Sequence, residues 1–142
     1  MMTKKDQLDF EQCKELLYRI VDEKLDIPLE YFLSNIKTRE LANTRRVVVK
    51  ILKMNFPNSK VETLGKAVNR NHANVCVQLK KHEDLIYSDK IYASLFHKIN
   101  DEFFLIYKKD DTDYIDYLRK NKSILEDKLK YINLQISEIE NK

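Results

Sequence analysis

The chain has 142 residues, enough for one domain or a small domain with an appendage, and 35% of them are charged. One glycine, Gly65, and two prolines leave few chain breakers. That argues against sandwiches, barrels and βαβ folds, and for an all-α protein of long helices.

A single glycine also excludes a Walker A loop and a GxGxxG fingerprint, so no nucleotide partner is expected. Cys13 and Cys76 form no CxxC pair, and no apolar run reaches the roughly 18–20 residues that span a bilayer. The first residues lead into an amphipathic stretch instead of an apolar signal core. A cytoplasmic protein with no membrane partner is the expectation.

Between residues 8 and 25, Phe10, Cys13, Leu16, Leu17, Ile20, Val21 and Leu25 recur at helical spacing, which predicts an amphipathic helix. Asp26-Ile27-Pro28 ends it, and Pro28 suits the first turn of a short helix over 29–33. Thr38 opens a third helix, which runs through Leu41, Ala42, Val47, Val48, Ile51, Leu52 and Phe56 until Pro57 stops it. Ser59 is the expected N-cap of the next helix, with Glu62 closing a capping box. That helix ends near Val68, and Asn69-Arg70-Asn71 reads as a compact polar turn, since Asn tolerates the left-handed conformation. A further helix follows from residue 71 or 72 to Leu85. Two helices joined by about three residues have the layout of a helix-turn-helix. Gly65 suits a close helix crossing there, or a fraying hairpin.

Ser88 is the expected cap of a helix carrying Ile91, Tyr92, Leu95, Phe96, Ile99, Phe103, Ile106 and Tyr107 on one stripe, with Lys108 and Lys109 at its C-terminus. Asp110-Asp111-Thr112-Asp113 lacks the glycine and distal glutamate of an EF-hand loop, and reads as the cap of the last helix. In that helix Ile115, Lys122, Leu129 and Ile136 fall at heptad position a, and Leu118, Leu125, Ile132 and Ile139 at d. The seam runs about 36 Å, and Lys122 is the kind of polar insert that favours one register or a low oligomer state. A homodimeric coiled coil is the expectation, with an antiparallel hairpin as the alternative. The expected domains are 8–109, a multi-helix unit containing the helix-turn-helix, and 110–142, the long coiled-coil helix.

The net charge of +3 is unevenly spread. Residues 35–81 hold eleven basic and two acidic side chains, a charge of +9 that leaves −6 for the rest. A basic middle between acidic flanks is the footprint of a polyanion-binding segment, although a solvated helical surface has the same composition.

Residues 27–82 resemble the C-terminal DNA-binding domain of the bacterial replication initiator DnaA. Ile27-Pro28-Leu29-Glu30-Tyr31-Phe32-Leu33-Ser34 is similar to that family's "hydrophobic, polar, Leu-Leu-Ser" opening. Lys37-Thr38-Arg39-Glu40-Leu41-Ala42-Asn43-Thr44-Arg45-Arg46 is similar to its "basic, polar, Arg, x, hydrophobic, Ala, x, x, Arg, Gln" segment. Leu64-Gly65-Lys66-Ala67-Val68 resembles its "Ile-Gly-x-x-Phe", and Arg70-Asn71-His72-Ala73-Asn74-Val75 stands where it has Arg-Asp-His-Thr-Thr-Val. Lys80-Lys81 takes the place of an Arg-Lys pair. With the flanking helices the likeness covers about 100 of the 142 residues, and only the Leu33-Ser34, 39–46 and 70–75 pieces are specific.

The resemblance implies a Trp-repressor-like helix-turn-helix whose second helix enters the major groove of double-stranded DNA. His72 and Asn74 would reach base edges, where Asn can bridge adenine N6 and N7 and His can donate to guanine N7 or a phosphate, and Ala73 and Asn74 stand at two base-reading positions of the family. Asn71 and the N–H groups beside it would hold a phosphate. For His72 the alternative is a solvent-facing helix cap. The resemblance puts Lys37 at the family's minor-groove position, where Lys is a weaker substitute for Arg. It places Arg45 and Arg46 near the phosphate backbone; Lys60, at the start of the helix-turn-helix, would add another contact, and Arg39, Arg70, Gln78, Lys80 and Lys81 complete the candidate DNA-binding residues, while Lys50 and Lys53 read as ordinary surface charges. Asn71, Ala73 and Asn74 depart from the family at reading positions, so the usual DnaA box is not the expected target. No P-loop stands in the sequence, so DNA binding carries over and ATP-driven origin melting does not.

His72 and Cys76 share a helix face at i, i+4, but His82 and His97 fall at no zinc spacing, so neither metal nor cofactor is expected. The eight tyrosines are scattered and form no stacking platform for single strands. The sequence thus points to a non-enzymatic, sequence-preferring DNA-binding protein of replication or transcription control, bacterial or phage-encoded and nucleoid-associated, acting as a homodimer. The competing expectation is a protein-interaction module whose coiled coil is the active part and whose helix-turn-helix is a relic.

Overall fold

The computed structural model describes residues 2–107 and 111–141. It is all-α: among the described residues there are seven helices and no strand. The chain divides into two units, residues 1–106 and 107–142. The first holds α1 (Lys4–Leu25), α2 (Leu29–Phe32), α3 (Arg39–Asn55), α4 (Val61–Val68), α5 (His72–Ser88) and α6 (Lys90–Ile106), and the second holds α7 (Asp111–Glu140).

Helix α3 is the centre of the first unit. It packs against α1, α4, α5 and α6. Its Val47, Val48 and Val49 are all fully buried, as are Ile51 and Leu52. Three consecutive β-branched residues are mediocre helix formers, so this helix owes its stability to burial on all sides. Thr38 caps it by accepting the Leu41 N–H at 3.2 Å. Helix α1 begins at Lys4, earlier than its apolar pattern suggests, because Thr3 and Asp6 form a capping box. Its apolar face closes over α3 and α6, with Phe10 edge-on to Phe56 at 5.3 Å. Asp26 ends α1 in the left-handed conformation. The Tyr18 hydroxyl donates to the Ala67 carbonyl at 2.7 Å, which fixes the end of α4 against α1. Burial, then Glu15 and Glu11, push that phenol up to about 12, so it remains a donor.

Several predicted caps move. Pro28 precedes α2 as its N-cap and does not lie within the first turn. Ser59 is not the N-cap of α4: its hydroxyl donates to the Phe56 carbonyl at 2.7 Å, closing the turn after α3. Lys60 takes the N-cap position without a side-chain bond, and Glu62 falls one place short of a capping box. Helix α5 runs three residues past Leu85. Ser88 is its last residue, and the cap of α6 is Asp89, whose carboxylate accepts the Ile91 and Tyr92 N–H groups at 3.0 and 3.1 Å. The Tyr92 N–H is the main reason that this carboxyl sits below its ordinary range. On α6 the buried stripe is Tyr92, Phe96, Ile99, Asn100 and Phe103. Ile91 and Ile106, expected on it, are exposed: one lies a residue off the stripe and the other ends the unit. Lys108, Lys109 and Asp110 lie outside the described residues, as do the side chains of Asp111, Thr112 and Asp113.

His82 joins α5 to α6, with its Nδ1 2.6 Å from the Tyr92 hydroxyl. Burial, then the Lys50 cation, push His82 down to about 4. Burial pushes the Tyr92 phenol up, so the hydroxyl donates and a neutral imidazole accepts. In the unfolded chain His82 titrates near the ordinary 6.5. Between these values the unfolded state binds the extra proton. The stabilisation is therefore complete above about 6.5 and is lost as the pH falls towards 4, by up to about 3 kcal/mol. Urea midpoints at pH 7.5 and 4.5 should differ more for the wild type than for His82→Phe; equal differences would show that another group carries the acid sensitivity.

Helix α7 is 30 residues long. Its a/d seam residues Ile115, Leu118, Lys122, Leu125, Leu129, Ile132, Ile136 and Ile139 are all exposed. Lys122 reaches Glu126, one turn on, at 3.9 Å. Ile124, Tyr131 and Leu134 are also exposed and lie off the seam, so the apolar surface of this helix is wider than a strict heptad reading gives. No described helix is long and apolar enough to cross a membrane.

Candidate nucleic-acid interface

Helices α4 and α5 and the turn between them are held by backbone geometry and by a few side chains. Asn69 adopts the left-handed conformation (φ 55°, ψ 49°) that ends α4. The Arg70 N–H then donates to the Gly65 carbonyl at 2.9 Å. A Cβ on Gly65 would overlap the Arg70 carbonyl oxygen and touch Val75, so the glycine is there for the close approach of the turn and not because the helix frays. Asn71 caps α5 by accepting the Asn74 N–H at 2.9 Å. Gly65→Ala would gain about 1 kcal/mol of helix propensity, but an overlap with backbone typically costs about 1–3 kcal/mol. The melting temperature of this variant should fall by several degrees. A rise would mean that the turn moves aside freely.

The turn is tied to the segment before α3. The Asn69 side chain donates to the Leu33 carbonyl at 2.7 Å, and both terminal nitrogens of Arg70 donate to the Ser34 carbonyl at 3.2 Å. Arg45 holds the same segment from below. Its Nε donates to the Phe32 carbonyl at 2.8 Å, and its terminal nitrogens to those of Ile36, Ser34 and Tyr31 at 2.9, 3.0 and 3.2 Å. One carbonyl, that of Ser34, thus receives two guanidinium groups. Burial first, and Arg70 second, lower the proton affinity of Arg45.

Arg45 and Arg46, expected near the DNA backbone, are instead 4% and 5% exposed and turned to partners within the protein. Arg46 donates to Gln78 Oε1 and Asn43 Oδ1, both at 2.7 Å, and lies 5.4 Å above the Tyr92 ring. Arg39 is exposed but pairs with Asp89 at 3.2 Å. Lys50 pairs with Glu83, and Lys53 donates to the Pro57 and Ser59 carbonyls, in keeping with their reading as ordinary charges.

The other candidates converge. Lys37, Arg70, Asn74 and Gln78 line one cleft of about 180 Å3 between the segment before α3 and the start of α5, with Arg45 on its wall and Gln78 held by Arg46. Lys66, Asn69, Asn71 and His72 border a second depression around the turn, with Glu62. His72, Ala73, Lys80 and Lys81 are exposed on α5, and Lys60 is exposed before α4. Lys81 and Arg39 share a hollow with Asp84 and Asp89, where acids offset them. In α5 only Val75 and His82 are buried, so most of the helix surface is open. Its outward stripe is Ala73, Val77, Lys80 and Asp84. Val77, 47% exposed, was missed from the sequence. Counting one turn on from Ala73 would have found it, since residues four apart share a helix face. Cys76 Sγ lies 3.9 Å from His72 Nδ1, but among the described residues no three ligating side chains come together.

No family model, curated protein or solved structure matches the chain.

Proposed function

We propose that this chain is a non-catalytic, sequence-preferring duplex-DNA-binding protein of the kind its DnaA-like motifs suggest. Helices α4 and α5 are its helix-turn-helix, and the start of α5 enters the major groove. The Lys37 segment lies at the adjacent minor groove, and α7 pairs two copies. The observation that carries this reading is the cross-tie through the Ser34 carbonyl. It sets the basic segment before α3 beside the polar start of α5, so that Lys37, Arg70, Asn74 and Gln78 border one cleft. A minor-groove arm and a recognition helix need such a fixed relation to read neighbouring grooves. The expected role is replication or transcription control in a bacterial or phage-infected cytoplasm, at the nucleoid.

Selection from a random duplex pool, followed by titration of the enriched site, tests the reading. His72→Ala and Asn74→Ala should each weaken binding about 10- to 100-fold, the scale of one lost base contact. The same weak binding in all three proteins, with no enriched motif and a shallow salt dependence, would leave the second reading. In that reading the exposed seam of α7 makes the chain a protein-interaction module.

A further inference from the structure

We propose that the C-terminal half of α7, residues 129–139, joins two dimers of this chain into a tetramer. The inference rests on the reading of α7 as a dimer seam and extends it. The seam changes character midway. Its first half has Ile115 and Lys122 at a, with Leu118 and Leu125 at d, the combination that favours two strands. Its second half has Leu129 then Ile136 at a, and Ile132 then Ile139 at d. Leu at a with Ile at d, and Ile at both, shift the preference to three or four strands. The reason is steric. At d in a two-stranded coil the side chain points directly at the partner, where a β-branched residue is forced from its preferred rotamer.

One feature of the helix surface agrees. Beside Tyr131 and Ile132 lies a shallow hollow, bordered also by Asp127 and Lys128, of the kind that receives a knob from another helix. The occupant is a further copy of this chain because its flanks fit themselves. In parallel register Asn121 faces Glu126, Lys128 faces Asn133 and Gln135 faces Glu140, with no like charges opposed. The antiparallel register pairing Ile115 with Ile139 would set Glu126 against Glu126 and Lys128 against Lys128. Lys122 keeps the first half two-stranded, so the assembly is a dimer of dimers carrying four α4–α5 units, suited to two paired DNA sites at once.

Sedimentation equilibrium of the full chain at micromolar concentration tests this. The expected mass is four times the 17.0 kDa chain. Leu129→Ile with Ile132→Leu and Ile139→Leu restores the two-stranded pattern with near-constant volume on an exposed helix face, and should halve that mass. A wild-type mass of two or three chains overturns the tetramer; two leaves the dimer standing, and one chain removes both. A triple variant that stays at four chain masses overturns the assignment to these residues.

Discussion

Arg45→Leu should destabilise the first unit by about 3–5 kcal/mol, the scale for breaking a buried charged network. That is a large part of the roughly 5–15 kcal/mol by which a domain is stable. The side chain is 4% exposed and donates to four carbonyls in the stretch from Tyr31 to Ile36. Leucine fills much of the volume but takes the guanidinium from the Phe32 and Ile36 carbonyls, at about 1–3 kcal/mol for each one that stays buried, while Ser34 still accepts from Arg70 and Tyr31 from Ser34. The urea midpoint should fall with an unchanged slope. DNA affinity should fall with it, because the Lys37 segment loses its seat. Arg45→Lys should recover only part of the loss, since an ammonium has no fork to reach several acceptors at once. A phosphate-binding Arg45 would behave differently: the urea midpoint would hold, and the salt dependence of DNA binding would drop by about one unit.

Leu125→Glu with Leu129→Glu should reduce the chain to a monomer. Both side chains are exposed seam residues of α7, so the urea midpoint of the first unit should not change. On DNA carrying two half-sites the variant should lose about 100- to 10,000-fold in affinity, the gain that pairing two modules supplies. On a single half-site it should bind as the wild type does. An antiparallel hairpin would give the opposite pattern, a lower urea midpoint with no change in mass. The pair of measurements thus separates the two uses of the heptads, and does so without knowledge of the DNA target.

Much of the candidate site was legible because its signals are local. Asn69 in the left-handed conformation, Asn71 as an N-cap and Gly65 beneath the turn each follow from what one residue type tolerates. The two arginines were not legible. A Lys/Arg-rich stretch of +9 looks the same whether its guanidinium groups face solvent or bind carbonyls thirteen residues back. Only packing separates Arg45 and Arg46 from Arg39 and Lys37. Ser59 and Ser88 were misplaced for a related reason. A serine hydroxyl can close the preceding turn as readily as cap the following helix, and the choice depends on where the backbone has room.

By itself the sequence determined the helical class, the order of the elements, the turn at 69–71, the basic middle and the heptads of the last helix. All of these rest on spacing, breakers and charge, which act over a few residues. The tertiary structure alone decided which cations are free, which face of α5 is open and what holds the segment before α3 beside it. Those depend on contacts between residues 33–36 and residues 45 and 69–70, up to 36 positions apart in the chain. Such contacts form only when α3 is enclosed on all sides, and burial then makes each unsatisfied carbonyl costly enough to capture an arginine.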